Sequence, residues 1–248
     1  MIVMSNLDID LRNFLQQYHQ NYTWKERIQV IFNITDGICG IHKENSIHRD
    51  LHSGNILYSQ YFDFWYISDL GFCGPVDKPL GSIYGNLPYI APEVIVKKEY
   101  TFASDIYSLA MLMWEVSSGQ PPFAGVDHNY DLAMKIINGM RPKTIPGTPL
   151  EYEKLMKQCW DADPSKRLNI ATLFGKFKEM LKPYLMNENN GQQEIINKLI
   201  QSNTNSITVN SKIYNFKNLP EPKNATKGKS YNVVFNFQVI YIINNFVF

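Results

Sequence analysis

The 248-residue sequence predicts a mainly α-helical domain with one small β-hairpin, followed from about residue 186 by an asparagine-rich tail. Three observations carry this reading. Isoleucines recur at 28, 31, 34, 38 and 41, the spacing that places them along one face of a helix. The segment Ser104 to Val116 is apolar nearly all round, which suits a helix buried on every side. Between them, Ile56-Leu57-Tyr58 and Phe64-Trp65-Tyr66-Ile67 are short apolar and aromatic runs separated by a turn, the pattern of a hairpin.

Shorter amphipathic stretches predict helices at residues 11–20, 130–138, 151–160 and 170–185. Thr23-Trp24-Lys25-Glu26 has the spacing of a capping box, so the isoleucine helix is expected to start there, run to about His42 and deliver the chain to His48. Gly119 with Pro121-Pro122 stops the buried helix. The sequence therefore divides into a helical domain, 1–185, and a tail, 186–248, that is expected to be poorly ordered. The last 62 residues hold 14 asparagines against 10 in the preceding 186 and show no clear period. Tyr231 to Phe248 is apolar but carries Asn232, Asn236, Gln238, Asn244 and Asn245. Burying those amides in a bilayer would cost ~2 kcal/mol or more each, so no membrane span is expected.

With 24 basic and 23 acidic residues the net charge is +1, and no field favours nucleic acid or anionic lipid. Cys39, Cys73 and Cys159 are scattered and odd in number, which suits reduced thiols. The N-terminus reaches Asp8 before it can form an apolar secretory core, so a cytoplasmic location is expected.

The chemistry concentrates in His48-Arg49-Asp50-Leu51-His52-Ser53-Gly54-Asn55, Asp69-Leu70-Gly71 and Ala91-Pro92-Glu93. A hairpin returns the chain to where it began. Asn55 just before the first strand and Asp69 just after the second should therefore converge, offering oxygen donors to Mg²⁺, with Asp50 facing the same space. Asp105 stands in the all-apolar helix, where an unpaired carboxylate would cost roughly several kcal/mol, so it must have partners.

In their order and spacing these motifs, with Asp105, Cys159-Trp160 and Asp163-Pro164-Ser165-Lys166-Arg167, resemble the large lobe of protein kinases from about Val3 to Leu181. The resemblance implies a kinase-like fold, ATP and Mg²⁺ as cofactors and a protein substrate. It implies Asp50 as the catalytic aspartate and Asn55 and Asp69 as magnesium ligands. Leu57 would form the floor under adenine, and His48 and Leu70 would stack in an apolar spine, with Gly71 completing the Asp69 motif. Asp105 would accept amides of the loop at His48 and Arg49, and Glu93 would pair with Arg167. Ser82 and Tyr84 are candidate phosphorylation sites, with Arg49 as the cation to meet a phosphate there.

His52 stands where serine/threonine kinases usually place lysine and is read as a solvated loop residue. The pattern Gly85-Asn86-Leu87-Pro88-Tyr89-Ile90-Ala91-Pro92-Glu93, in which Asn86 replaces the usual threonine, and the lack of a tyrosine-kinase Ala-Ala-Arg favour the tyrosine-kinase-like group, acting on Ser or Thr rather than Tyr. Val3-Met4 resembles the hinge and Asp10 to Leu15 the first helix of the large lobe. No phosphate-covering glycine loop, strand lysine or helix glutamate precedes them. These 248 residues alone are thus expected to hold ATP weakly and transfer negligibly. The alternative is a silent, pseudokinase-like interaction module. A bare cleft face should expose Leu57 and Leu70 to an upstream kinase or another protein partner.

Overall fold

The computed structural model describes residues 9–76, 83–97, 99–186, 212–214 and 219–224. The helices are α1 (Leu11–Tyr18), α2 (Trp24–Lys43), α3 (Pro92–Lys97), α4 (Phe102–Ser118), α5 (Tyr130–Ile137), α6 (Leu150–Cys159) and α7 (Ile170–Met186). The predicted class holds: helices dominate and the strands are few and short. Val3 and Met4, read as a hinge, lie outside the described residues.

Helix α2 starts on the capping box. Thr23 N–H donates to Glu26 Oε2 (2.6 Å) and Glu26 N–H to Thr23 Oγ1 (3.4 Å), satisfying two orphan donors reciprocally. Its Ile28, Ile31, Ile34 and Ile38 are buried, while Ile41 at the end of the stripe is half-buried. The helix packs along α7, where the Phe32 and Phe174 rings stack 4.9 Å apart. Helix α4 is the hub. Ile106 to Met113 are buried throughout, Trp114 Nε1 donates to Lys143 O (2.8 Å), and Tyr152 Oη of α6 donates to Met113 O (2.9 Å). Gly119 ends α4 at φ +76°, and a Cβ there would lie 2.5 Å from the His19 ring, so conformation and space both demand glycine.

The predicted hairpin is β3 (Ile56–Ser59) with β4 (Phe64–Ile67), antiparallel and in the register Ile56↔Ile67 to Ser59↔Phe64. A two-residue strand, β1 (Ile9–Asp10), adds to the other side of β3. The hairpin lies on α2, so closely that a Cβ on Gly37 would meet Ile67 Cδ1 at 2.9 Å. Two further pairs join β2 (Ser46–Ile47) to β5 (Gly74–Pro75), and β6 (Ile83–Gly85) to β7 (Lys212–Tyr214). Elements of two or three residues have no period to read, which is why the sequence signals only the hairpin. Strand β7 belongs to the tail that was expected to be poorly ordered. Its described parts, Lys212–Tyr214 and residues 219–224, rest on the domain, with Leu219 packed against the core. Among the described residues no helix is long and apolar enough to cross a membrane.

One buried ion pair fastens the lower half. Arg167 donates two parallel bonds to Glu93, both 2.7 Å, and further bonds to Ala103 O and Asp161 O (2.8 Å each). Its guanidinium also lies over the Tyr107 ring at 5.3 Å. Removing one partner strands the other in a dry site. Arg167→Ala is therefore expected to lower the unfolding free energy by about 3–5 kcal/mol in urea titration. The Glu93→Ala/Arg167→Ala double variant is expected to lose less than the sum of the two singles.

Candidate active site

The site is built on the loop between β2 and β3, and a carboxylate from α4 holds that loop from beneath. Asp105 Oδ2 accepts from His48 N–H (2.9 Å) and Oδ1 from Arg49 N–H (3.1 Å), while His42 Nε2 lies 2.9 Å from Oδ2. These bonds meet the demand for partners that a carboxylate in an apolar helix makes. His48 is fully buried. Its Nδ1 accepts from Asp50 N–H (3.3 Å), which leaves Nε2 to donate to Ser68 O (3.0 Å).

Asn55 closes the loop. Its Nδ2 donates to Asp50 O (2.9 Å), and Ser68 returns both its N–H (2.8 Å) and its hydroxyl (3.0 Å) to Asn55 O. Ser68 follows β4 and Asp69 follows Ser68, so the hairpin brings Asp69 beside Asn55 at its open end. Asp69 is exposed and left-handed at φ +54°, ψ +65°, and its Oδ1 accepts Gly71 N–H (3.4 Å). Asp50 is buried, with Oδ1 3.7 Å from His52 Nε2 and packed against the backbone of Gly85.

Two sequence expectations change, those for Leu70 and His52. Leu70 does not stack on His48. It starts a short 3-10 turn (Leu70–Phe72) that the left-handed Asp69 sends outward, and it is 55% exposed. His52 is buried rather than solvated. Its Nδ1 accepts Gly54 N–H (3.1 Å), which turns the ring inward, and burial, with Arg12 and His48 adding to it, lowers its pKa to about 3. Arg49, at φ +72°, is buried and spends its guanidinium on Phe72 O (3.3 Å) and Pro75 O (2.6 Å). Leu57 is half-buried in β3. Ser82 lies outside the described residues, as does the side chain of Tyr84.

A second buried carboxylate was missed. Glu115 of α4 accepts from Ser53 Oγ (2.8 Å) and Tyr89 Oη (2.6 Å), and Arg12 Nε donates to Ser53 Oγ (3.1 Å) and lies 3.9 Å from Glu115. Burial pushes the Glu115 carboxyl up while Arg12 pulls it back. The network fixes Ser53, two residues before Asn55. The argument applied to Asp105, an acid in an apolar helix, would have found it.

Among the described residues no cluster of three or more His, Cys, Asp and Glu side chains is placed to hold a metal. The set here is two oxygens. With Nδ2 of Asn55 committed to Asp50 O, its Oδ1 is the atom left to face a cation, and Asp69 adds a solvated carboxylate. That suits magnesium, which binds through one or two protein oxygens and keeps the rest of its shell as water and substrate phosphate.

Residues 1–177 match the family model of the protein tyrosine and serine/threonine kinases. A dual serine/threonine and tyrosine protein kinase of Homo sapiens is 31% identical over 211 residues, covering 82% of this chain and 20% of that protein. Its counterpart in Canis lupus familiaris is 32% identical over 174 residues, 67% of this chain and 18% of that protein. A probable serine/threonine-protein kinase of Dictyostelium discoideum, roco7, is 31% identical over 191 residues, 72% of this chain and 7% of that protein. The chain thus spans a fifth or less of the length of these relatives.

Burial of His52 has a pH signature. Its folded pKa of about 3 lies below the free value of 6.5, so across that window the unfolded chain binds a proton that the folded chain refuses. The stability is whole above pH 6.5 and declines as pH falls. His52→Asn keeps an acceptor for Gly54 N–H and removes the titration. Between pH 7 and 5.5, urea unfolding should show the parent losing about 1 kcal/mol more than His52→Asn.

Proposed function

Because the chain belongs to the protein tyrosine and serine/threonine kinase family, we propose that it carries the phosphoryl-transfer centre of an ATP- and Mg²⁺-dependent protein kinase acting on Ser or Thr hydroxyls. The observation that carries this reading is the convergence of Asn55 and Asp69 at the open end of the hairpin, with Asp50 bonded to Asn55 through its own carbonyl.

Asp50 orients the acceptor hydroxyl and takes its proton as the oxygen bonds to the γ-phosphorus of ATP and the bond to ADP breaks. Asn55 and Asp69 hold magnesium, which when bound neutralises the charge on the phosphates. His52 stays neutral at working pH with Nε2 3.7 Å from Asp50 Oδ1, so it presents a dipole rather than a cation to the carboxylate. Leu57, half-buried on β3 beside Asp10, offers the apolar surface for adenine. The preference for Ser or Thr rests on the sequence pattern from Gly85 to Ile90 and the absent Ala-Ala-Arg. The names of the relatives include both classes.

The purified protein carrying this chain, incubated with labelled Mg-ATP and a mixed protein substrate, is expected to yield phosphoserine and phosphothreonine on amino-acid analysis. Phosphotyrosine alone would overturn the Ser/Thr reading. Asp50→Asn should lower kcat by about 10²–10⁴-fold, the usual worth of a positioned base. Asp69→Asn should raise the magnesium concentration needed for half-maximal rate. Unchanged rates in both variants would exclude this site, and nucleotide binding without transfer in the parent would favour the silent-module alternative.

A further inference from the structure

Strand β6 lies in the segment between Asp69 and Glu93, and its end comes up against the catalytic loop. Its last residue, Gly85, is left-handed (φ +126°), and a Cβ built there would lie 3.2 Å from Asp50 Oδ1. Whatever pairs with Gly85 therefore lies one strand spacing, about 5 Å, from the residue that abuts the carboxylate. The occupant is the tail. Strand β7 runs antiparallel to β6 in the register Ile83↔Tyr214, Tyr84↔Ile213 and Gly85↔Lys212.

A second contact holds the tail in place ten residues further on. Lys223 N–H donates to Ile137 O (2.6 Å) at the end of α5. The Asn224 amide reads two groups at once, accepting from Ala162 N–H (2.7 Å) and donating to Asp161 Oδ1 (3.0 Å). Asp161 is the residue whose carbonyl also accepts from Arg167, so the anchor adjoins the buried ion pair. The fastening is light. The Lys97–Glu221 pair is exposed at 3.8 Å, and Glu221 and Asn224 roof a cavity of about 510 Å³ beside Glu93 and Lys97. Few bonds across a cavity open more readily than a packed core.

We propose that the edge of Ile83–Gly85 is a docking surface for an extended polypeptide. The chain's own Lys212–Tyr214 occupy it in cis, with residues 219–224 as an anchor, and exclude a protein substrate from the strand position next to Gly85. Backbone pairing gives such an edge affinity without demanding a sequence, so a tethered segment and a substrate compete for the same donors and acceptors. The residue at the Gly85 register is Lys212, which has no hydroxyl to offer. Tail and edge thus form an occupied state that gives no product at that position. The substrate class, an extended segment antiparallel to β6, rests on the kinase reading above, whereas the occupancy of the edge does not.

The test uses the purified protein carrying this chain with two variants, Ile213→Pro to interrupt β7 and Asn224→Ala to release the anchor. In hydrogen exchange, the amides of residues 83–85 are expected to be protected in the parent and to lose protection in Ile213→Pro, and partly in Asn224→Ala, at unchanged melting temperature. A fluorescent peptide of residues 208–226 should bind Ile213→Pro about five-fold more tightly than the parent. Equal exchange in all three proteins would overturn the occupancy, whether or not any of them phosphorylates. With protein substrate, KM should fall about five-fold in Ile213→Pro while kcat holds. That is the factor expected when a tether supplies an effective concentration, on the order of millimolar, a few times the segment's own Kd. Loss of protection with an unchanged KM would overturn the competition. No transfer in any variant, with the exchange pattern as expected, would fault the kinase reading and leave the docked tail standing.

Discussion

Asp105 is a carboxylate placed where the helix around it is apolar on every side, and it is tolerable only because His48, Arg49 and His42 supply hydrogen bonds. The dependence runs both ways. Two consecutive amides of a loop have no strand partner, and the acid gives them one. With His48 fixed, its ring fixes Ser68 O. Ser68 then fixes Asn55 O, and the two ends of the hairpin meet. The proposed magnesium donors are thus positioned through a relay that begins in the first turn of α4.

Glu115 does the same work from the other end of that helix. Through Ser53 it grips the turn that leads into Asn55, with Arg12 and Tyr89 completing its shell. A loop of eight residues is therefore clamped at both ends by buried acids of one helix. A site of this kind holds its geometry because each acid would be stranded if the loop moved away.

Much of this was legible in the sequence. The capping box at Thr23, the isoleucine stripe, the buried helix and the hairpin all follow from short-range spacing, and the motif residues follow from order. What spacing could not reveal was the direction of side chains on irregular backbone. Leu70 turns outward because Asp69 is left-handed, His52 turns inward because Gly54 N–H takes its Nδ1, and Arg49 is drawn to carbonyls twenty-three and twenty-six residues away. The described part of the tail was hidden for a different reason. Its asparagines lower its hydrophobicity and mark it as disordered by composition, yet Asn224 docks by hydrogen bonds rather than burial.

The left-handed backbone at Asp69 also decides what its replacements can teach. Among ordinary residues, glycine, asparagine and aspartate enter that region at little cost, while β-branched and bulky ones do not. The position is filtered by backbone shape before any metal is considered. Of the oxygen-bearing side chains only the short ones pass, so a glutamate there, although it keeps the charge, would unsettle the turn that follows. Sequence variation at this position would then look like selection for chemistry while recording, in part, the geometry of a single peptide unit.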